Sequence, residues 1–422
     1  MSLFPLFLVS FIGTLGYSIV LPFLVTVVTK FGGNAVVYGV VGATYSACQL
    51  IGAPVLGRWS DLYGRRKILL LSQLGTLASW IVFLLALSLP PIALLRFDGA
   101  GGASILTLPL LVLFVARATD GLTGGNVSVA NAYLADLTSE STRNKEFGKM
   151  AVATNLGFIA GPMLAGFLGA TRWEETLPVL AALSISFAAS FVIWKFLPES
   201  RPCGLSKNPG KTEVRKIFGQ EQRECFELES DGRVSFGQAL RLEKVPFLLA
   251  VYFLIFLGFN FFYAAFPVHA TTSLGWSVKE LGLFFSFLGL TTVLVQGPLL
   301  SRLSVKLPES ILVVAGGLIL GVGFWLFTSE SLLSLYSGAA CFSLGNGLQW
   351  PSFLAVLSKA AGRRYQGAVQ GFGGSVGSLA SIVGLILGGV LYQYLRGATF
   401  LISAALFVTV SALSIRFFYS RS

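Results

Sequence analysis

The chain is poor in charge, in histidine and in cysteine. Charged residues make up 12% of its 422 residues, against 54% hydrophobic residues, whereas soluble domains carry about 25% charged residues. This scarcity excludes a soluble globular protein. There is one histidine, and there are four cysteines, Cys48, Cys203, Cys225 and Cys341. None of the four has the spacing of metal ligands or lies where an extracellular disulfide would form, so neither a metal nor a cofactor is expected.

Long apolar runs recur instead along the whole chain. A transmembrane helix needs roughly 20 apolar residues, and twelve runs meet this length. No stretch between them is long enough for a soluble domain. The predicted helices cover about 3–29, 38–57, 68–89, 105–134, 148–170, 176–197, 245–269, 279–301, 310–328, 332–356, 367–393 and 396–418.

The basic residues are distributed unequally between the two sides that these helices define. Of the 30 Lys and Arg residues, 24 fall in the loops and tail of one side, five fall on the other side, and Arg117 lies inside a helix. Basic loops face the cytoplasm, so both termini are expected inside the cell, in a multi-pass protein of the cell membrane. The net charge of +11 therefore reflects topology and requires no nucleic-acid partner.

Residues 198–244 interrupt the apolar pattern with prolines and mixed charge. They divide the chain into an N-terminal half, 1–197, and a C-terminal half, 245–422, joined by a predicted cytoplasmic linker. The halves show a faint repeat, because 53–60 and 297–304 align. A glycine- and lysine-containing stretch in the linker has the wrong spacing for a phosphate-binding loop, so ATP is not the expected energy source.

A charged turn joins the second and third predicted helices. It contains Gly57, Asp61, Gly64, Arg65 and Arg66 in close succession. This order of glycine, aspartate, glycine and paired arginine resembles the loop between helices two and three of the major facilitator superfamily of transporters.

The resemblance implies a gating cluster at the cytoplasmic surface. In the family, an acid at the end of the fourth helix meets the arginines of this turn, which assigns Asp136 to Arg65 or Arg66. The carboxylate of Asp61 would lie near the positive N-terminus of the eleventh helix, around residues 366–367. The cluster would close when the protein opens outward.

Two ionisable residues, Arg117 and Asp120, fall deep inside the fourth predicted helix. A charge at the centre of a bilayer costs at least about 2.5–3.5 kcal/mol on insertion scales. Three positions apart, the two side chains share a helix face and can neutralise each other. They form either a purely structural pair or part of a substrate or proton site, and we adopt the second interpretation as the hypothesis.

The fifth predicted helix carries a glycine–proline pattern formed by Gly157, Gly161, Pro162 and Gly166. Glycines four positions apart let another helix approach closely, and a proline removes a backbone donor and bends the helix. The pattern resembles the signature of the antiporter branch of the superfamily, and we predict a helix-packing role for it.

Seven further polar residues inside the predicted helices are candidates for lining a central cavity, because polar groups are unfavourable against lipid. They are Tyr45, Gln49, Asn260, Tyr263, Asn346, Gln349 and Gln370. For Tyr45 and Gln49, hydrogen bonding between helices is the alternative. The glutamine–glycine pairs in 366–371 and the serines after them resemble the tetracycline/proton antiporters. Those antiporters use carboxylates in helices one, three and nine, where this sequence has none, so Asp120 is left for proton coupling.

These features predict an all-α membrane protein of twelve transmembrane helices in two pseudo-symmetric six-helix bundles, the major facilitator fold. The resemblance implies a monomeric secondary transporter that moves a small amphipathic molecule by alternating access, with proton-coupled export, as in drug-resistance efflux antiporters. The alternatives are a facilitator or symporter of a metabolite or lipid-like molecule, and a receptor or scaffold that docks partners on 198–244. The sequence contains no catalytic constellation, so an enzyme is not expected.

Overall fold

Helices dominate the described part of the chain. The computed structural model describes residues 3–99, 102–124, 126–138, 140–199, 242 and 244–419. Most of the predicted linker therefore lies outside the described residues. The helices are α1 (Phe4–Ser18), α2 (Leu24–Lys30), α3 (Ala35–Tyr63), α4 (Arg65–Ser88), α5 (Leu108–Thr123), α6 (Asn126–Leu137), α7 (Glu140–Gly169), α8 (Thr176–Phe196), α9 (Val245–Thr272), α10 (Val278–Leu294), α11 (Leu300–Lys306), α12 (Glu309–Leu326), α13 (Leu332–Leu395) and α14 (Thr399–Tyr419). A π-helical turn, Val295–Leu299, joins α10 to α11.

Eight helical segments within these ranges are long and apolar enough to cross a membrane. The other predicted crossings are present as shorter or joined helices. The first is divided into α1 and α2 by a turn at residues 19–23, where Pro22 lacks the backbone donor that a continuous helix needs. The fourth is divided into α5 and α6 at Gly124, one of two successive glycines, a residue type that loses the most conformational freedom in a helix. The sequence predicted one continuous helix at each of these two places, whereas the structure has two helices at each.

The helical run α13 contains two crossings that turn back on each other. A straight helix of its 64 residues would be about 96 Å long, several times the thickness of a bilayer. Tyr252 on α9 contacts both Trp350, at 5.1 Å between ring centroids, and Gly373, whose Cβ position lies 3.1 Å from the Tyr252 ring. In a straight helix those two residues would lie about 34 Å apart. The run therefore forms a first arm, residues 332–361, and a second arm, residues 369–395.

A β-hairpin precedes α5, where the sequence predicted the start of the fourth helix. Strands β1 (Ala93–Gly99) and β2 (Gly102–Thr107) pair antiparallel, with Gly99 opposite Gly102 at the tip. The hydroxyl of Thr107 donates to the carbonyl of Phe31 at 2.9 Å and holds the hairpin against the end of α2. Residues 105–107 are therefore strand, because the glycine-rich tip lets the apolar stretch after it pair with the stretch before it.

The predicted glycine–proline pattern on α7 lies at two close helix contacts. A Cβ atom on Gly161 would lie 2.0 Å from Ser18 Oγ and 2.8 Å from the backbone of α1, and one on Gly157 would lie 2.5 Å from a carbonyl oxygen of α1. The Ser18 hydroxyl also donates to the carbonyl of Gly157 at 3.0 Å. Farther along α7, Gly166 faces Gly282 of α10, with 3.1 Å between its Cβ position and the Gly282 Cα. The small residues therefore let backbones pack directly on each other.

The two halves of the chain meet at the face that carries the hairpin, which we call the hairpin face. There, a Cβ atom on Gly39 of α3 would lie 2.2 Å from the carbonyl of Leu385 on the second arm, and Gly389 packs on Ala35 in the same way. The hydroxyl of Tyr38 also donates to the carbonyl of Tyr263 on α9 at 3.4 Å. With the Gly166–Gly282 contact, these interactions close the hairpin face.

The face that carries the turn between α3 and α4, which we call the charged face, is different. The Cβ positions of Gly57 on α3 and of Gly371 and Gly374 on the second arm have no described atom within 4 Å. These helices therefore border open space at the charged face, while the same pair of elements is in contact at the hairpin face. Among the described residues, the two halves thus touch at the hairpin face, and these three glycines border open space at the charged face.

At the hairpin face, an ion pair joins the end of α2 to the loop after α7. Lys30 Nζ lies 2.9 Å from Glu174 and 3.4 Å from Glu175. The hydrogen bond from Lys30 lowers the pKa of the Glu174 carboxyl, and it raises the pKa of Lys30. Because Lys30 and Glu174 are more than half exposed, the pair contributes little to stability.

Candidate functional site

A cavity of about 520 Å³ lies between the two halves and is lined by residues of both. About a third of its lining residues are aromatic. The rings come from Tyr17, Tyr38, Phe158, Phe256, Phe259, Tyr263, Phe342 and Trp350. A cavity of this size, with apolar walls and few polar groups, is typical of small-molecule binding sites.

A second cavity of about 420 Å³ adjoins the first, and its lining includes Asp120, Gln49 and several hydroxyl-bearing side chains. The two share lining residues, among them Tyr17, Phe158 and Phe256, so they lie side by side. Gly374 of the second arm, which borders open space, also lines the second cavity. We call the first the central cavity and the second the polar cavity; the polar cavity extends toward the charged face.

Arg117 and Asp120 lie where the two cavities meet. Arg117 lines the central cavity, and Asp120 lines the polar cavity. Both are buried, with 7% and 8% of their surface exposed. Arg117 Nη1 lies 3.4 Å from Asp120 Oδ2. They are the charged residues among the described residues that line either cavity.

The contacts around this pair come from three helices. The Arg117 guanidinium carbon lies 4.6 Å from the centroid of the Tyr45 ring on α3, a cation–π distance. The hydroxyl of Thr76 on α4 donates to Asp120 Oδ1 at 3.1 Å. Arg117 Nε is buried and has no hydrogen-bond partner among the described residues. The carboxylate is thus partly satisfied by the protein, while the guanidinium retains an unused donor.

The packing of α3 on α5 holds these side chains in place. A Cβ atom on Gly121 would lie 2.3 Å from the carbonyl of Tyr45, so the two backbones are in direct contact. Gln49 Nε2 donates to the Tyr45 hydroxyl and to the carbonyl of Gly124, each at 3.0 Å. The amide thereby satisfies a carbonyl left free where α5 ends. Tyr45 and Gln49 also line the polar cavity. The pair therefore both hydrogen-bonds between helices and lines a cavity.

Three of the predicted residues in the C-terminal half line the central cavity, namely Asn260, Tyr263 and Asn346. Asn260 Nδ2 donates to the carbonyl of Phe256 at 2.7 Å and to Ser381 Oγ at 3.0 Å, which links α9 to the second arm.

Gln349 takes a different position. It is fully buried, its Nε2 donates to the carbonyl of Val313 on α12 at 3.4 Å, and it packs on Gly316 and Gly317. Gln349 thus lies at a contact between α12 and the first arm. The side chain of Gln370 lies outside the described residues.

The turn at the charged face is built around Arg65 and Gly64. Arg65 Nε lies 3.0 Å from Asp136 Oδ2 on α6, and its Nη1 donates to Ser60 Oγ at 2.7 Å. Gly64 has a φ of 104°, a conformation that strongly favours glycine. The side chain of Asp61 lies outside the described residues.

Sequence reasoning missed two partners, Thr76 and Glu199. Glu199 accepts a hydrogen bond from the Arg66 backbone N–H at 3.3 Å, and its carboxylate lies against Gly64, 2.5 Å from that residue's Cβ position. The Arg66 guanidinium donates to the carbonyl of Trp194 near the end of α8. A signal was available for Glu199, an acid directly after the sixth apolar run, but a threonine such as Thr76 is common in membrane helices and carries no signal.

Membrane helices in two halves around a central cavity are the arrangement of a secondary transporter. The profile of the Major Facilitator Superfamily matches residues 6–380 and 248–422. The chain belongs to the major facilitator superfamily.

Known proteins agree with this assignment. Tetracycline resistance protein, class E, of Escherichia coli is 28% identical over 418 residues, which cover 97% of this chain and 93% of the relative. Major facilitator superfamily domain-containing protein 10 of Bos taurus is 31% identical over 400 residues, covering 89% and 77% of the two chains. The crystal structure of the human organic anion transporter MFSD10 has a TM-score of 0.67 at 23% identity and covers 98% of each chain.

These findings confirm the predicted fold class and general function. The protein is a multi-pass membrane transporter with the twelve-helix fold of two bundles, and it is related to tetracycline-resistance efflux proteins.

Proposed function

We propose that this transporter is a monomer that exports a small amphipathic molecule across the cell membrane in exchange for protons, with Asp120 as the proton site. The observation that carries the proposal is the buried Arg117–Asp120 pair at the junction of two cavities. Ionisable residues inside a membrane protein mark substrate and proton paths. The related tetracycline resistance proteins support export. No catalytic residue or cofactor enters the proposal.

The direction of loading follows from the two faces. The charged face carries the great majority of the basic loop residues, which supports a cytoplasmic position for it and for both termini. Because the described residues of the two halves are in contact at the hairpin face and border open space at the charged face, we assign the structure to the state that takes up substrate from the cytoplasm. A second state, open at the hairpin face, would release substrate and take up a proton.

Coupling arises because proton and substrate favour different states of one site. With Asp120 ionised, the pair is neutral and Arg117 is held near the carboxylate. Protonation removes the negative charge and weakens the hold on Arg117. A substrate that needs the ionised carboxylate is then released, and the two ligands exclude each other.

We propose that the cluster at the charged face is the gate. Arg65 bonds to Asp136 inside the N-terminal bundle, and Arg66 bonds to the end of α8, which sets the position of the turn. In the state that closes this face, Asp61 would approach the second arm, as the family resemblance implies. Gly57 would allow that approach, because its Cβ position borders open space here.

The gate proposal predicts a strong loss of transport in Asp136→Asn. The Arg65 and Asp136 side chains are only 11% and 12% exposed, and removing one partner of a buried pair costs about 3–5 kcal/mol. We expect transport in proteoliposomes to fall at least about tenfold, equivalent to about 1.4 kcal/mol, because the turn is no longer held in place for the gate to close. The double variant with Arg65→Asp and Asp136→Arg should recover part of the rate. Wild-type rates in Asp136→Asn at equal abundance would contradict the gate.

Proton exchange is tested directly in proteoliposomes that contain a pH-sensitive dye. Vesicles with an acidic interior should lose protons when an amphipathic probe such as tetracycline is added outside, and should accumulate the probe. Collapsing the pH gradient with nigericin should abolish accumulation. Probe flux that is unaffected by nigericin would establish a facilitator instead and overturn the proposal.

A further inference from the structure

The Arg117–Asp120 pair presents opposite charges to two adjoining cavities. Arg117 lines the central cavity and Asp120 lines the polar cavity, and Tyr17, Phe158 and Phe256 belong to both. A molecule that extends past these shared side chains would meet the guanidinium in the central cavity and the carboxylate in the polar cavity.

The pair is loosely joined and leaves a donor unused. Its single ion-pair contact, Arg117 Nη1 to Asp120 Oδ2, is 3.4 Å long, whereas strong charge-assisted pairs are about 2.7–2.9 Å and often bidentate. Arg117 is 93% buried, and its Nε has no partner among the described residues. An unsatisfied buried donor is unfavourable, and the Arg117 side chain that carries it lines the central cavity, where an anionic oxygen of a ligand would pair with the guanidinium.

Charge balance then decides which ligands suit this site. Arginine stays protonated in proteins, so the pair with ionised Asp120 has no net charge. A bound monoanion would leave the buried site at one negative charge, and a monocation would leave it at one positive charge, and an uncompensated buried charge is costly. A molecule that carries one charge of each sign keeps the site neutral and gives each side chain a partner.

We propose that the transporter's site takes an aromatic zwitterion, with its anionic group on Arg117 and its ammonium group on Asp120. This rests on the proposed function and names its substrate class. Aromatic rings near both charged residues support this assignment. Tyr45 already lies over the guanidinium, and Tyr17 lies 5.2 Å from Tyr45 between ring centroids. Rings around the polar cavity can also stabilise an ammonium group through cation–π contacts.

The assignment predicts opposite pH responses for ligands of different charge. Apart from the pair, the titratable groups that line the two cavities among the described residues are the phenols of Tyr17, Tyr38, Tyr45, Tyr252 and Tyr263. Phenols stay neutral below about pH 10. Protonation of Asp120 therefore controls the charge of the site. Acidification removes the partner of the ammonium group, so zwitterion binding weakens, and it leaves Arg117 as an unbalanced cation, so monoanion binding strengthens.

A matched indole series tests the proposal by equilibrium dialysis on the full chain in nanodiscs. The probes are tryptophan, the amine tryptamine, the carboxylate indole-3-propionate and the neutral indole-3-propanamide. At pH 8 we expect tryptophan to bind about tenfold more tightly than the other three, equivalent to about 1.4 kcal/mol. At pH 5.5 its affinity should fall while that of indole-3-propionate rises. Equal binding of all four, no binding by any, or tighter tryptophan binding at pH 5.5 would overturn the proposal.

Two substitutions assign the contacts. Asp120→Asn should abolish the preference for tryptophan over indole-3-propionate and keep carboxylate binding, now without pH dependence. Arg117→Gln should lose carboxylate binding and retain only the amine. An unchanged ligand preference in Asp120→Asn, which leaves one amide in place of one carboxylate, would contradict the ammonium contact. Binding is measured without a pH gradient and is therefore independent of the proton-exchange experiment. A preference for the zwitterion without proton exchange would contradict only the proposed function. Proton exchange without this preference would contradict only the proposed substrate class.

Discussion

Asp120→Asn is expected to abolish accumulation driven by a pH gradient and to weaken substrate exchange between the two sides, because the amide, like the protonated carboxyl, carries no charge for the substrate to bind. The amide has nearly the same shape as the carboxyl and can still accept from Thr76, whose hydroxyl lies 3.1 Å from Asp120 Oδ1. It cannot gain or lose a proton, so the site no longer changes charge during the cycle. Proteoliposomes with and without a pH gradient separate the two activities, and accumulation should fall to the level of vesicles without a gradient.

Two further variants test whether the loss of accumulation is specific to the Asp120 carboxylate. Thr119→Val changes a hydroxyl that bonds to its own helix, at the carbonyl of Val115, and it should behave as wild type. Arg117→Ala should lose both accumulation and exchange, because it leaves a buried carboxylate without its counter-charge. If Asp120→Asn still concentrates substrate with the wild-type pH dependence, Asp120 has a structural role and the proton site lies elsewhere.

Gly161→Leu is expected to destabilise the N-terminal bundle strongly and to abolish transport. A Cβ atom at this position would already lie 2.0 Å from Ser18 Oγ and 2.8 Å from the α1 backbone. The hydroxyl can rotate away but the backbone cannot, so α1 and α7 must separate. Overpacking of this kind costs typically about 1–3 kcal/mol, and the larger side chain should exceed the effect of Gly161→Ala. Thermal unfolding of the purified protein, with transport in proteoliposomes, measures both effects.

Gly371→Leu is the matched control, since its Cβ position on the second arm has no described atom within 4 Å. It should change the melting temperature much less than Gly161→Leu does. Equal melting temperatures for wild type, Gly161→Ala and Gly161→Leu would show that the close contact of α1 and α7 is not needed for stability.

The candidate site could be predicted in part. Arg117 and Asp120 stand out in any reading of the sequence, because charges are rare in apolar runs, and their spacing predicts a shared face. The contact of Asp136 with Arg65 was available only through the family resemblance, since the two residues are 71 positions apart. Gln349 looked equivalent to Asn346, yet the first lies against α12 and the second lines the central cavity. Residues three positions apart lie on nearly the same face of a helix, so the sequence cannot tell them apart. The positions of the neighbouring helices decide which of the two residues lines the cavity.

The hydrophobic runs alone settle that this chain is a helical membrane protein with its basic loops on one side. Each crossing must satisfy its own backbone hydrogen bonds in lipid, so its length and composition suffice to find it. The hairpin before α5, the break at Gly124, the fold-back of α13 and the pairing of Thr76 with Asp120 have a different origin. Each depends on contacts between segments far apart in the chain, such as Thr107 with Phe31 or Gln49 with Gly124. A local sequence pattern carries no information about such partners, because their energy arises only when packed helices bring them together.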